Sequence, residues 1–316
     1  MKPIRIFAAI DRFPEDDAVL LRGIKVATRH SVALTIVHVI DLPDHAASAA
    51  RISTSRGQAE FAAHDRIEAA LHQHGIDPVG VEIRVETGNP AERLVEICND
   101  LKPMLVVMRA HHQPWIVRKL LGSTTENVVA AVHAPVLIVR PTIDKPYDRV
   151  LLAVDGPETA PPALSLVSAL LPDAKVHMVQ AVALAPQLKQ AMLRVGLARS
   201  DLTTHHDMLV QDAEARVGSL AAGLRPRATW QVLRGDAAKE LARATHAPDV
   251  DLIALGPNRS GLLTGVFIGS VMRRLLRDAD CDVLIGRPLG TGMPNVIARR
   301  DPTAAQSANT LRPLEI

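Results

Sequence analysis

The residues with the most chemistry to offer are glycines and the polar side chains beside them. Gly256, Gly269 and Ser270 delimit the segment 256–270, GPNRSGLLTGVFIGS. Glycine lets backbone N–H groups approach a phosphate with no Cβ in the way. Gly269 and Ser270 open a helical stretch, and the unpaired N–H groups of a helix start favour an anion. Ser270 is also placed to cap that helix. Read without a ligand, the same residues are loop glycines and a capping serine. Asp155 closes the apolar run VLLAVD, and Val182 closes KVHMVQAV. A carboxylate at a strand end accepts N–H or O–H bonds from a base or a ribose. The first half of the chain offers a similar set in Asp11, Val39, Gly122 and Ser123.

No other motif competes. The sequence has no G-x-x-x-x-G-K-[ST] phosphate loop, no G-x-G-x-x-G after its first strand and no G-x-S-x-G elbow. His72/His74, His111/His112 and His205/His206 are spaced too closely to share a helix face, and no third ligand stands near them. They read as surface or capping histidines. Cys98 and Cys281 cannot build a disulfide framework, which suits a reducing compartment. Both read as small packing residues, with redox sensing as the alternative. No Ser/His/Asp triad follows from residue order, because a triad is defined by geometry.

The elements that must position these residues come in two copies. Gly122-Ser123 and Gly269-Ser270 lie 147 residues apart, and the same shift carries Gly88 to Gly235 and Arg140-Pro141 to Arg287-Pro288. Asp11 and Asp155 are related by a shift of 144. The chain of 316 residues is therefore a duplicated unit, in line with roughly 150 residues per domain. We expect domains over 1–141 and 148–287, joined by a stiff proline-containing linker, and a mobile tail over 288–316 without hydrophobic period. Each copy alternates short apolar strands with amphipathic helices. The fold class is α/β, with two tandem doubly wound, five-stranded parallel sheets. In such sheets ligands bind beyond the carboxyl ends of the strands, where the strand order reverses. Lys plus Arg number 36 against 34 Asp plus Glu, a formal charge of +2, which leaves no electrostatic footprint for nucleic acid or a membrane surface. Aromatic residues make up 2%, too few for a base-stacking platform. No run of about 18 apolar residues or signal peptide is evident, so a soluble cytoplasmic protein is expected.

Taken together, these residues resemble the universal stress protein family over about residues 3–287. Family members that bind ATP carry an Asp closing the first strand and a loop G-x2-G-x9-G-[ST] after the fourth. Asp11 and Asp155 match the Asp, and Gly122-Ser123 and Gly269-Ser270 match the end of the loop. HAPVLIVRP and ADCDVLIGRP match the last strand, and Gly88-Asn89-Pro90 and Gly235-Asp236 match a glycine before the third helix. Gly256 fills the first glycine position of the second copy, but Arg259 stands at the second, with Gly261 close by. The first copy has Arg109 and His112 at these two positions. A side chain at Arg109 would obstruct close backbone approach; alternatively it meets phosphate oxygens or is a solvated loop cation.

The resemblance implies a Rossmann-like fold of the adenine nucleotide alpha hydrolase type. It implies fifth strands, 136–139 and 282–286, that meet in an intramolecular pseudo-dimer; a homodimer is also compatible with it. It implies ATP or AMP in the second copy, at Asp155, Val182, Gly256, Arg259, Gly269 and Ser270, with the first copy a degenerate scaffold. The implied role is a nucleotide-responsive stress or signalling regulator with a protein partner, hydrolysing ATP weakly at most. The competing reading is a nucleotide-independent interaction module with vestigial sites. A hydrolase of the related folds is disfavoured, since the S-G-G-x-D-S loop is absent after both first strands.

Overall fold

The computed structural model describes residues 4–41, 49–110, 123–141, 145–156, 158–223, 229–256 and 269–287. The tail over 288–316, Gly122, His111, His112 and Arg259 lie outside the described residues. The chain divides into two units at residues 144 and 145.

In the first unit the elements run β1 Arg5–Ala9, α1 Asp17–His30, β2 Ala33–Ile40, α2 Ala49–Gln73, β3 Val81–Thr87, α3 Pro90–Leu101, β4 Leu105–Arg109, α4 Ser123–Ala131 and β5 Val136–Val139. The strands form a parallel sheet in the order β3-β2-β1-β4-β5. The second unit runs β6 Arg149–Ala153, α5 Ala160–Leu170, β7 Lys175–Val182, α6 Pro186–Arg194, α7 Arg199–Gly223, β8 Thr229–Arg234, α8 Ala237–Ala244, β9 Leu252–Leu255, α9 Ser270–Asp278 and β10 Asp282–Ile285. Its parallel sheet has the order β8-β7-β6-β9-β10. The order reverses at β1 in one unit and at β6 in the other. The expected doubly wound, five-stranded sheets are present in both.

The central strands are short because both faces are covered. Ile6, Phe7 and Ala8 of β1 and Leu151 and Leu152 of β6 are buried on both sides of the pleat. An unbroken apolar run, rather than an alternating one, is what a sheet sandwiched between helices requires. Each buried Leu or Ile contributes about 1.5–3 kcal/mol relative to exposure. Cys98 and Cys281 belong to this packing, at 4% and 1% exposure.

The paired glycines before the third helix of each unit have one physical cause. Gly88 and Gly235 adopt φ of +127° and +136°, a region that side chains disfavour. The residue that follows caps the helix: Asn89 accepts from Ala91 N–H and Glu92 N–H at 3.0 and 3.3 Å, and Asp236 accepts from Lys239 N–H at 3.1 Å.

Strand register fixes how the copies correspond. Ala9 faces Met108 as Ala153 faces Leu255, so Arg109 and Gly256 hold the same place. Ala9 faces Val37 as Ala153 faces Val179, which sets Val39 against Ala181 and Ile40 against Val182. Val39 and Val182 are thus one residue out of correspondence, and a one-residue offset turns a side chain to the opposite face. In the second unit a short helix, α6, precedes the long helix α7. Proline at the start of α6 presets the first turn, but none of its residues is buried.

Candidate functional site

The turn after each central strand is fastened from the neighbouring strand. Ile10 N–H donates to Val37 O at 2.9 Å, and Val154 N–H to Val179 O at 3.0 Å. His38 Nδ1 bonds Ile10 O at 2.9 Å, and Gln180 Nε2 donates to Asp155 O at 3.2 Å. These bonds set Asp11 and Asp155 at the carboxyl end of the strands, exposed, where the sheet order reverses. His38 and Gln180 were not singled out from sequence. Their signal is a polar residue inside an otherwise apolar strand, TIVHVI and HMVQAV.

Asp16 was not singled out from sequence either. It is fully buried, and its Oδ2 accepts Asp11 N–H at 2.6 Å and Arg12 N–H at 3.0 Å. Its Oδ1 lies 2.6 Å from Arg109 Nε, an ion pair without the alignment of a hydrogen bond. Arg109 is therefore not a solvated loop cation: its side chain is 16% exposed and committed to Asp16. The buried Thr125 adds a bond from its hydroxyl to Arg109 O at 3.5 Å. The glycine position of the first unit is thus filled by a charge pair tied into the β1–α1 turn.

The second unit has neither charge. Thr159 stands before α5 as Asp16 stands before α1, each accepting from the N–H four residues on. The Thr159 hydroxyl donates to Gly156 O at 3.0 Å. At Gly256 an added Cβ would stand 2.8 Å from Ala163 Cβ and 3.7 Å from Thr159 O. Close packing of α5 accounts for this glycine with no reference to a ligand.

Gly269 caps α9 at φ −61° and ψ 159°, a conformation open to any residue, with nothing within 4 Å of an added Cβ. Ser270 is the first helical residue and not the cap, so the expected serine cap is absent; the α9 N-terminus has no side-chain cap. Its first N–H groups remain available to an anion. Val182 is engaged otherwise. Its carbonyl accepts Gly235 N–H at 2.8 Å and lies 3.0 Å from His206 Nε2, and its side chain packs against Val210, Ala213 and Val232.

The first unit, expected to be a scaffold, has a cleft of about 400 Å³ at the strand ends. Asp11, Val39, Asp41, Met108 and Thr124 are among its walls. Ser123 opens α4 beside it. No group of three metal-ligating side chains occurs among the described residues, and no helix among them is long and apolar enough to cross a membrane. Burial pushes the Cys98 thiol up to about 12, which suits packing rather than thiolate chemistry.

Comparison with known proteins agrees with this architecture. The Universal stress protein family matches the chain twice, over residues 4–140 and 146–287. A universal stress protein of Mycolicibacterium smegmatis is 26% identical over 305 residues, covering 90% of this chain and 97% of that protein. The crystal structure of a universal stress protein from Archaeoglobus fulgidus is similar over 91% of this chain and 97% of its own, with a TM-score of 0.61 at 15% identity. One from Pseudomonas aeruginosa, described as a putative universal stress protein, matches over 94% and 95% with a TM-score of 0.56 at 17% identity. With both units matched along nearly their whole length and both sheets wound in the same order, the chain is a tandem member of the universal stress protein family.

Proposed function

We propose that this protein is a nucleotide-responsive stress or signalling regulator whose second unit binds ATP or AMP. The carrying observation is the difference between the units at one structural position. Arg109, paired with buried Asp16, stands where the second unit has Gly256 beside neutral Thr159, so the second unit presents no side chain and no charge pair at that position. Phosphate oxygens would rest on the backbone at Gly256 and Gly269 and on the N–H groups of Ser270 and its successors. Asp155 would accept bonds from the ribose or base, and Ala181 takes the place that register gives Val39 in the first unit. The binding role needs no general base or nucleophile. The first unit would admit a base and sugar at most, because Asp11 and Asp41 line its cleft while Arg109 is neutralised by Asp16.

One observation favours the second reading, a nucleotide-independent interaction module. Gly256 is required by its contact with Ala163, so its presence does not by itself argue for a ligand. The test is to denature freshly purified protein and analyse the supernatant for nucleotide, then to measure thermal shift with ATP and AMP. Bound adenine nucleotide, or a rise in melting temperature that saturates with ATP, supports the first reading. A nucleotide-free protein with no shift supports the second.

A further inference from the structure

A cleft in the second unit lies where the chain leaves β7. It has a volume of about 760 Å³, within the range of small-molecule sites. Helix α6, the start of α7 and Gly235 border it as an open groove. The chain spends sixteen residues, 183–198, between β7 and α7, against eight, 41–48, between β2 and α2. Helix α6 belongs to this longer connection, while Ala183 and Gly235 of the lining hold the places of Asp41 and Gly88 in the first unit.

Its lining divides into two chemistries. Leu184, Leu193 and Leu202 supply aliphatic walls. Lys189 and Arg199 supply two cations, and no carboxylate lines the cleft among the described residues. Neither cation has an ion-pair partner among the described residues. No Phe, Tyr or Trp lines the cleft among the described residues, so these offer no stacking face to a base. Helix α6 buries none of its residues, and Leu188 and Leu193 are 42% and 46% exposed on it. A helix that leaves its leucines in water beside unpaired cations is suited to a ligand with an apolar body and an anionic head.

We propose that the cleft between α6 and α7 binds a single-chain amphipathic carboxylate, in chemical class a fatty acid. Its head lies at Lys189 and Arg199, and its chain lies on Leu184, Leu193 and Leu202. A guanidinium and an ammonium supply charge-assisted bonds to the carboxylate, and the leucines remove the chain from water. The cleft shares none of Asp155, Gly256, Gly269 or Ser270, although its lining residue Ala183 follows Val182, and the test therefore includes ATP as a competitor.

The test is calorimetric titration of the full chain with dodecanoate and with dodecanol, below their aggregation thresholds, with and without saturating ATP. Dodecanoate is expected to bind at one site, more tightly than dodecanol by roughly tenfold or more. Replacing both cations, Lys189→Gln with Arg199→Gln, is expected to remove that advantage and leave dodecanol unchanged. Leu193→Asp should weaken both ligands. All three residues are solvent-exposed, and circular dichroism checks that the variants fold. ATP should leave dodecanoate affinity unchanged whether or not ATP itself binds. The proposal is overturned by equal affinity for the acid and the alcohol, by indifference to the double substitution, or by displacement with ATP. Binding to anionic phospholipid vesicles without binding of dodecanoate overturns it as well, since the cleft would then serve a membrane surface.

Discussion

Arg109→Met removes the charge opposite Asp16 while keeping much of the side-chain stem. Exposed ion pairs contribute roughly 0.2–1 kcal/mol, whereas removing one partner of a buried pair costs about 3–5 kcal/mol. This pair lies between those limits. Asp16 is fully buried, but Arg109 keeps 16% exposure, and Asp16 retains the N–H groups of Asp11 and Arg12 as donors. The expected cost is about 2–3 kcal/mol, local to the β1–β4 end of the first unit. Two linked units need not unfold in one step, so amide hydrogen exchange is a better assay than a global melt. Amides of β1 and β4 that exchange through this opening should exchange roughly 30- to 150-fold faster, while β6 and β9 stay unchanged. In an Asp16→Thr background, which copies Thr159 of the second unit, Arg109→Met should have little further effect. A change below about threefold, or the same change in both backgrounds, would refute a buried, coupled pair.

Three further predictions follow from packing and burial. Gly256→Ala places a Cβ 2.8 Å from Ala163 Cβ, so it should destabilise the second unit by about 1–3 kcal/mol, and Ala163→Gly should relieve the clash. Burial pushes the His177 imidazole below its ordinary value, and its Nδ1 lies 2.7 Å from the Thr229 hydroxyl. The unfolded chain therefore takes up that proton first; the stabilising contribution is full above a pH of about 6.5 and is lost as pH falls below it. Melting temperature should fall less on acidification in His177→Gln than in the parent; equal slopes would remove His177 from the account. Cys98 and Cys281 should resist iodoacetamide in the native protein and react on unfolding, whereas labelling at the rate of a free thiol would contradict their burial.

Much of the fold was legible because the repeat and the strand pattern agree. Runs such as VLIV and DVLI can form only short strands covered on both sides, and the helices between them force parallel pairing. Gly88 and Gly235 were legible as helix entries because each precedes a capping residue. Asp16 was not. Nothing in DRFPEDDAVL separates it from Glu15 or Asp17, and its burial depends on Arg109, 93 residues away. The end-of-strand position of Val182 is visible in sequence, while its engagement with Gly235 and His206 depends on tertiary placement. Helix α6 carries no buried stripe, so it lacks the signal by which an amphipathic helix is read.

The claim that the second unit holds an adenine nucleotide is tested most directly by calorimetry with ATP on Gly269→Val, with Gly122→Val as the matched control. Gly269 sits at φ −61° with free space around its Cβ position, so the change introduces no backbone strain. Its structural cost should stay near that of a poorer helix cap, about 1 kcal/mol. Circular dichroism first confirms that both variants are folded. The account predicts that ATP binds the parent and the Gly122 variant alike and fails to bind the Gly269 variant. Equal loss in both variants, or unchanged binding in the Gly269 variant, would contradict it.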